Sequence, residues 1–332
     1  MRRLAPTRTV AAAVLTAAVL GVPAAAAHAA DPSVPSLAVS ALGVSRFEGR
    51  LVAPATRSIG VEARVAGATP GSTLLVTFKR GETIIKTGRF GAGEPRTITA
   101  RLRPALPGRL TVSAVLPDAA RVPITPGGQV LNLTILEPRA GDGDKGMHVR
   151  FLQQRLRGLH YAVGITGSYD LRTAYAVLAF RKVHRLPRLF TASPTVFRGV
   201  ADSRDSGYRV RYPGHGRHVE GDLLRQLLVL VNPGGVIFRI YHTSSGRPGI
   251  RTPPGSWRIY AKEPGLNSHG QYYSAYFTHA TGHRSACAIH GYFVVPVIAR
   301  SHCCFRVPEA DARFIYNWVH LGQRLDVYRA RS

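Results

Sequence analysis

The sequence predicts a multidomain, mainly β protein: a β-sandwich, a small helical module and a mostly β C-terminal domain. Three observations predict it. At 332 residues the chain is too long for one ordinary domain and suggests two or three. Short apolar runs divided by Gly and Pro recur between residues 31 and 137. A helical periodicity replaces them over 138–187, and strand-like runs return from 218 onward.

The first thirty residues are a different material. Arg2, Arg3 and Arg8 precede the apolar run Val10 to Val22, and Ala27-His28-Ala29 is a small-x-small cleavage site. That pattern is a secretory signal peptide, with Pro23 closing a run too short for a membrane anchor. No later stretch is apolar enough to span a bilayer. The expected mature protein is therefore secreted, soluble or wall-associated.

The formal charge is +26, and loss of Arg2, Arg3 and Arg8 with the leader leaves +23. In an exported protein this charge suits anionic wall polymers or lipid head groups rather than nucleic acid. The arginines are dispersed along the chain, so an Arg-rich composition with no specific partner is the competing reading.

Over 31–137 the runs are Ser36–Leu42, Ile59–Val65, Leu74–Phe78, Thr83–Thr87, Thr97–Leu102, Leu110–Val115 and Val130–Leu136. Turn signals such as Thr69-Pro70-Gly71, Lys79-Arg80-Gly81 and Pro107-Gly108 separate them. About seven short strands in about a hundred residues read as an immunoglobulin-like β-sandwich. It has no Cys pair and no catalytic constellation, so it reads as a spacer or interaction module.

Over 138–187, Asp144 is a candidate N-cap. Val149, Leu152, Leu156 and Leu159 then share one helical face. Asp170 is a candidate cap for a second helix with Ala174, Val177 and Leu178 turned inward. Residues 188–217 read as a linker with a packed segment at Val196-Phe197.

From 218 to 332, Leu227–Val231 and Val236–Tyr241 flank Asn232-Pro233-Gly234-Gly235 as a hairpin. Further strands are expected at Trp257–Tyr260, Tyr272–Phe277, Ala288–His290 and around Leu325 and Val327. Pro308 suits the first turn of a helix carrying Ala312, Ile315, Tyr316 and Val319 on one face, with Gly322 ending it.

This last region holds the chemistry. Ile289-His290-Gly291 is followed by Ser301-His302-Cys303-Cys304-Phe305-Arg306. Two histidines, a thiol and an arginine lie close together, with His290 and Cys304 far enough apart to face each other from neighbouring segments. A thiol becomes a nucleophile when a base takes its proton and a nearby cation favours the thiolate. Three cysteines leave at least one thiol without an intramolecular partner in an oxidising compartment, and Cys304 fits that role. The sequence leaves open whether Cys287 and Cys303 pair.

The string resembles the signature of the L,D-transpeptidases (the YkuD-type catalytic domain): His-Gly, a spacer, then Ser-His-Gly-Cys-x-Arg. The stretch Ser244 to Gly255 resembles a second hallmark, Ser-x-Gly-x-Pro-Gly-x-x-Thr-Pro-x-Gly. The departure is Cys303, which stands where the family has glycine. Residues 138–187 resemble the helical peptidoglycan-binding repeat. They carry Gly146, Val149, Leu152, Gln153, Leu156, Leu159 and Tyr161, then Gly167, Thr173, Ala176-Val177 and Phe180, departing from the pattern at His160, Asp170 and Arg181. The combination is similar to exported cell-wall proteins of actinobacterial type.

The resemblance implies a mostly β catalytic domain over 218–332 and acyl transfer without a cofactor. Cys304 would attack a stem tetrapeptide at the bond before its terminal D-Ala. His290 would act as base and then acid, and a second stem would resolve the thioester to a 3–3 cross-link. It implies that Gly291 orients His290, that the amides of Cys303 and Cys304 form the oxyanion hole, and that Ser301, His302 and Arg306 shape the site or contact the donor. Tyr272 and Tyr273 are candidate substrate contacts. The implied partners are peptidoglycan stem peptides and glycan. The alternatives are a catalytically inactive wall-binding protein, with Cys303 as the lesion, an L,D-carboxypeptidase using water, and a metal site drawn from His279, His283, Cys287, His290, His302, Cys303 and Cys304.

Overall fold

The computed structural model describes residues 36–93, 96–117, 130–279 and 286–329; the expected signal peptide lies outside them. Among the described residues, the N-terminal part has nine strands in two sheets. They are β1 (Ser36–Leu42), β2 (Ser45–Phe47), β3 (Arg50–Pro54), β4 (Ile59–Ala66), β5 (Thr73–Arg80), β6 (Thr83–Gly91), β7 (Arg96–Leu102), β8 (Gly108–Val115) and β9 (Val130–Leu136). One sheet is ordered β1-β4-β7 and the other β2-β3-β9-β8-β5-β6. Leu37, Val61, Ala63 and Ile98 from the first meet Leu74, Val76, Phe78, Leu110, Val112 and Ile135 from the second in one buried core. Alternation along β4 and β5 sends every second side chain into it, as a sandwich requires. The β2–β3 hairpin was not expected. It is only three and five residues long and turns through Glu48 and Gly49, both at positive φ.

Three helices follow: α1 (Met147–Gly158), α2 (Leu171–Val183) and α3 (Pro194–Asp202). Asp170 caps α2 by accepting the Thr173 amide (2.7 Å). Asp144 does not cap α1. Gly146 occupies that position, and the Asp144 carboxylate instead accepts the Gly141 amide across the preceding turn (2.8 Å). Gln153 is fully buried. Its amide nitrogen donates to Thr166 Oγ1, the Ser168 carbonyl and Thr173 Oγ1, and its oxygen accepts the Thr166 and Gly167 amides. It pins the α1–α2 loop. The stretch read as a linker, 188–217, contains α3, whose Val196, Phe197 and Val200 are buried. The short apolar pattern was diluted by Ser, Arg and Gly, but its buried side chains complete the core between α1 and α2.

The C-terminal part has nine more strands and a helix: β10 (His218–Asp222), β11 (Leu227–Asn232), β12 (Val236–His242), β13 (Gly255–Arg258), β14 (Ala261–Leu266), β15 (Tyr272–His279), β16 (Ala286–Tyr292), β17 (Phe305–Pro308), α4 (Glu309–Trp318) and β18 (Arg324–Tyr328). They form a sheet ordered β12-β11-β10-β18-β13 and another ordered β14-β15-β16-β17. The two pack through Val219, Leu228, Leu230 and Tyr241 against Ile289, Cys303, Phe305 and Val307. Both faces of β11 are covered: Leu228 and Leu230 enter this core, while Leu227, Val229 and Val231 enter the helical one. That explains its unbroken apolar run. Pro308 stands one residue before α4, which ends at Trp318 rather than at Gly322.

The helices are tied to this region. Ile240 of β12 accepts the Ala162 amide (3.0 Å) and donates its own amide to the His160 carbonyl (2.9 Å). Arg172 pairs with buried Asp311 of α4, Tyr175 Oη accepts the Val295 amide (2.8 Å), and buried Lys182 lies 2.6 Å from His242 Nδ1. Among the described residues no helix is long and apolar enough to cross a membrane.

Candidate active site

Strands β16 and β17 run parallel, with Ile289 opposite Phe305 and His290 opposite Arg306. Continued toward the start of β17, the same register sets Ala288 against Cys304 and Cys287 against Cys303. Side chains alternate between faces of a sheet. Cys287, Ile289, Cys303 and Phe305 therefore enter the core, and His290, Cys304 and Arg306 line an open cleft of about 530 Å³. On the core face Cys287 and Cys303 form a disulfide, with Cα atoms 5.3 Å apart. Cys304 keeps a free thiol.

The thiol rests against the edge of β16. The Ala288 amide donates to Cys304 Sγ (3.4 Å), and Sγ faces the Ala286 carbonyl at 3.8 Å. Burial pushes the thiol's pKa up, against a downward pull from the Ala288 amide and the Arg306 charge. His290 is 3% exposed, and its Nδ1–H donates to the Gly291 carbonyl (2.8 Å), which leaves Nε2 as the basic nitrogen. Burial pulls this imidazole down to about 4, with Arg306 adding to the effect. The resting site thus pairs a neutral thiol with a neutral imidazole. Arg306 lies over the Tyr292 ring, 4.0 Å from its centre, and its buried Nε has no hydrogen-bond partner among the described residues.

The loop into β17 is held from beneath by the segment Ser244 to Gly255. Ser244 and Arg306 exchange backbone hydrogen bonds (3.1 and 3.0 Å), and Thr243 Oγ1 donates to the Arg306 carbonyl (2.7 Å). Ser301 Oγ donates to the Cys304 carbonyl (2.5 Å), while its amide donates to Ser245 (3.0 Å). Gly246 donates to Thr252 Oγ1 (2.9 Å), which donates to the Cys303 carbonyl (2.7 Å). A Cβ on Gly246 would lie 2.4 Å from the Ile250 carbonyl, so only glycine fits there. Sequence reasoning saw this stretch as a hallmark but not that it is the scaffold of the thiol.

Cys303 has φ +84°. That is the left-handed region, where a residue with a Cβ costs about 1–2 kcal/mol relative to its ordinary conformation. A glycine-like backbone is thus kept without a glycine.

His302 is exposed at the cleft rim and Ser301 is buried in it. Tyr272 and Tyr273 do not line this cleft. They border a separate groove of about 500 Å³ with Tyr175, Phe293 and Arg313, because β15 is bulged and Tyr273, at φ +53°, turns toward Tyr316. The tyrosines at the cleft are Tyr276 and Tyr292, joined by His269 and Gln271. The β15 register that selects Tyr276 is invisible in an aromatic pair read as a pair. Of the alternative metal ligands, Cys287 and Cys303 are consumed by the disulfide, and His283 lies outside the described residues.

Residues 216–327 match the family described as the L,D-transpeptidase catalytic domain, YkuD. The crystal structure of an L,D-transpeptidase from Xylanimonas cellulosilytica is 29% identical, with 58% of this chain and 98% of that chain covered at a TM-score of 0.51. An L,D-transpeptidase from Stackebrandtia nassauensis is 21% identical over 58% of this chain and 96% of that one, at a TM-score of 0.33. One from Mycobacterium tuberculosis is 23% identical over 34% and 59%, at 0.29. A search of curated proteins gave no match. The C-terminal part of this protein is a YkuD-type L,D-transpeptidase catalytic domain.

Proposed function

We propose that the protein is an exported, wall-associated cysteine L,D-transpeptidase that joins peptidoglycan stems by 3–3 cross-links. The observation that carries this reading is the shared cleft of Cys304, His290 and Arg306 on two strands in parallel register. A donor carbonyl entering the cleft would meet the Cys304 sulfur as His290 Nε2 takes its proton, so that charge forms only as the bond forms. The developing oxyanion would be received by the backbone amides of Cys303 and Cys304, a contribution typically of about 3 kcal/mol per donor. His290 then returns the proton to the leaving D-Ala amine. The side-chain amine of a second stem displaces Cys304 from the thioester. Arg306 keeps the cleft cationic toward the carboxylates of the donor. The helical module and the charge of +23 left after loss of Arg2, Arg3 and Arg8 favour retention on peptidoglycan and anionic wall polymers.

The test is intact mass spectrometry of the mature protein after incubation with a carbapenem, with Cys304→Ala as control. One covalent adduct on the wild type alone is expected. A folded wild type that stays unmodified would overturn the reading. Incubation with a disaccharide-tetrapeptide should then give the cross-linked dimer and release D-Ala.

A further inference from the structure

The disulfide lies one residue from the free thiol, and the parallel register puts the two on opposite faces of the sheet. Cys287 and Cys303 are both fully buried in the core between the two C-terminal sheets. Exchange of the bridge with Cys304 would require a side chain to cross the sheet, so the bridge is insulated from the chemistry in the cleft. Its effect falls on the backbone instead.

Cys303 is fixed at both ends. Its side chain is bonded to β16, and its carbonyl accepts from Thr252, itself fixed by Gly246. Between these anchors its φ is +84°, a conformation that an unbridged residue with a Cβ leaves readily. The peptide plane leaving Cys303 carries the amide of Cys304 and sets the position of its Cα. Any rotation toward negative φ would swing both the thiol and the amides beside it.

We infer that the Cys287–Cys303 disulfide is a positioning element for acyl transfer. It holds Cys303 in the left-handed conformation that presents Cys304 and its amide to the cleft, and an unbridged side chain at 303 loses this preorganisation. The inference rests on the reading of Cys304 as the nucleophile. It makes the activity conditional on oxidation of two residues that never touch substrate.

Two variants separate positioning from general stabilisation. Cys287→Ser/Cys303→Ser and Cys287→Ser/Cys303→Gly both lack the bridge and should both lose thermal stability. They differ at position 303, where serine must hold a Cβ at positive φ and glycine need not. The serine pair should show a maximal carbapenem acylation rate about tenfold below wild type. The glycine pair should recover to within about threefold despite its lowered melting temperature. Alkylation of Cys304 by iodoacetamide, which needs no oxyanion donors, should differ between the two pairs by less than acylation does. Equal acylation by the two pairs, whether fast or slow, would overturn the inference and leave the bridge a staple.

If either pair fails to fold, the folded wild type is reduced with a water-soluble phosphine. The disulfide gains two electrons and two protons to give two thiols, and the phosphine takes oxygen from water. Once intact mass shows that the buried bridge has gained two hydrogens, acylation should be slower by about tenfold and recover on reoxidation; an unchanged rate in protein so reduced overturns the inference. Oxidised wild type that forms no adduct while folded instead removes the transpeptidase reading, and this inference with it.

Discussion

Thr252 donates its hydroxyl to the carbonyl of Cys303 at 2.7 Å while accepting the Gly246 amide at 2.9 Å. One fully buried side chain thus joins the Ser244 to Gly255 segment to the loop that carries the thiol. Thr252→Val keeps the shape and removes both bonds. Two buried backbone groups are left unpaired, at about 1–3 kcal/mol each. The expected outcome is a melting temperature several degrees lower and a slower carbapenem acylation in protein that is still folded. Thr252→Ser should keep most of both.

His290 supplies a pH test. Its folded pKa of about 4 lies below the unfolded value near 6.5, with burial as the main cause. Between these values the unfolded chain binds more protons than the folded one, so stability rises with pH across this window. The contribution is fully present above the unfolded pKa and is lost progressively from about 6.5 down to 4, up to about 3 kcal/mol. Urea unfolding at pH 4.5 and 7 should show a larger acid loss for wild type than for His290→Gln. The acid limb of acylation should likewise fall near pH 4 rather than 6.5, since the proposed mechanism needs a neutral His290 to accept the thiol proton.

Arg172 of α2 and Asp311 of α4 tie the helices to the catalytic domain. Asp311 is 2% exposed, and Arg172 is partly open to solvent. Burial pushes the Asp311 carboxyl up, and Arg172 opposes that shift. Arg172→Met strands the carboxyl, and the expected loss is about 1–3 kcal/mol at neutral pH, discounted for the exposure of the arginine. Arg172→Met/Asp311→Leu should recover most of it, since an apolar pair of similar volume replaces a buried charge. Denaturant midpoints of the two variants check this, and equal losses would contradict it.

What the sequence made legible follows from the kind of signal each element carries. The strands Leu227–Val231 and Leu74–Phe78 announce themselves because their apolar side chains are their burial. Strand β10 does not. All five of its residues are buried, yet His218, Glu220 and Asp222 are polar. They are satisfied by partners distant in sequence or by turn amides: Glu220 by Tyr208, Tyr328 and the amides of Arg211 and Tyr212, and Asp222 by the amides of Leu224 and Arg225. No apolar periodicity can report such a strand. At the candidate site, Cys304 and His290 were legible as residues able to react, and the cleft they share came from strand register. The Cys287–Cys303 bridge was open for the same reason: pairing depends on a constant offset between β16 and β17, a tertiary fact. The choice of Tyr276 over Tyr272 and Tyr273 turned on a bulge, which composition does not mark.

Gly291 gives the strictest test of the packing behind His290. It follows His290, its carbonyl orients the imidazole, and α4 crosses directly over it. A Cβ at this position would lie 2.7 Å from Ala312 Cβ, 2.9 Å from Tyr272 Cβ and 3.3 Å from Glu309 Cα. None of these is the free end of a flexible side chain, so Gly291→Ala must push α4 or β15 away from β16. Overpacking of this kind costs about 1–3 kcal/mol. The displacement acts on the carbonyl that fixes the His290 tautomer, so the imidazole should lose orientation as well. Acylation should therefore fall by more than the folded fraction does. Gly291→Ala/Ala312→Gly removes the closest contact and should regain part of both stability and rate. If Gly291→Ala alone leaves melting temperature and acylation at wild-type values, α4 is not packed on the His290 strand as described.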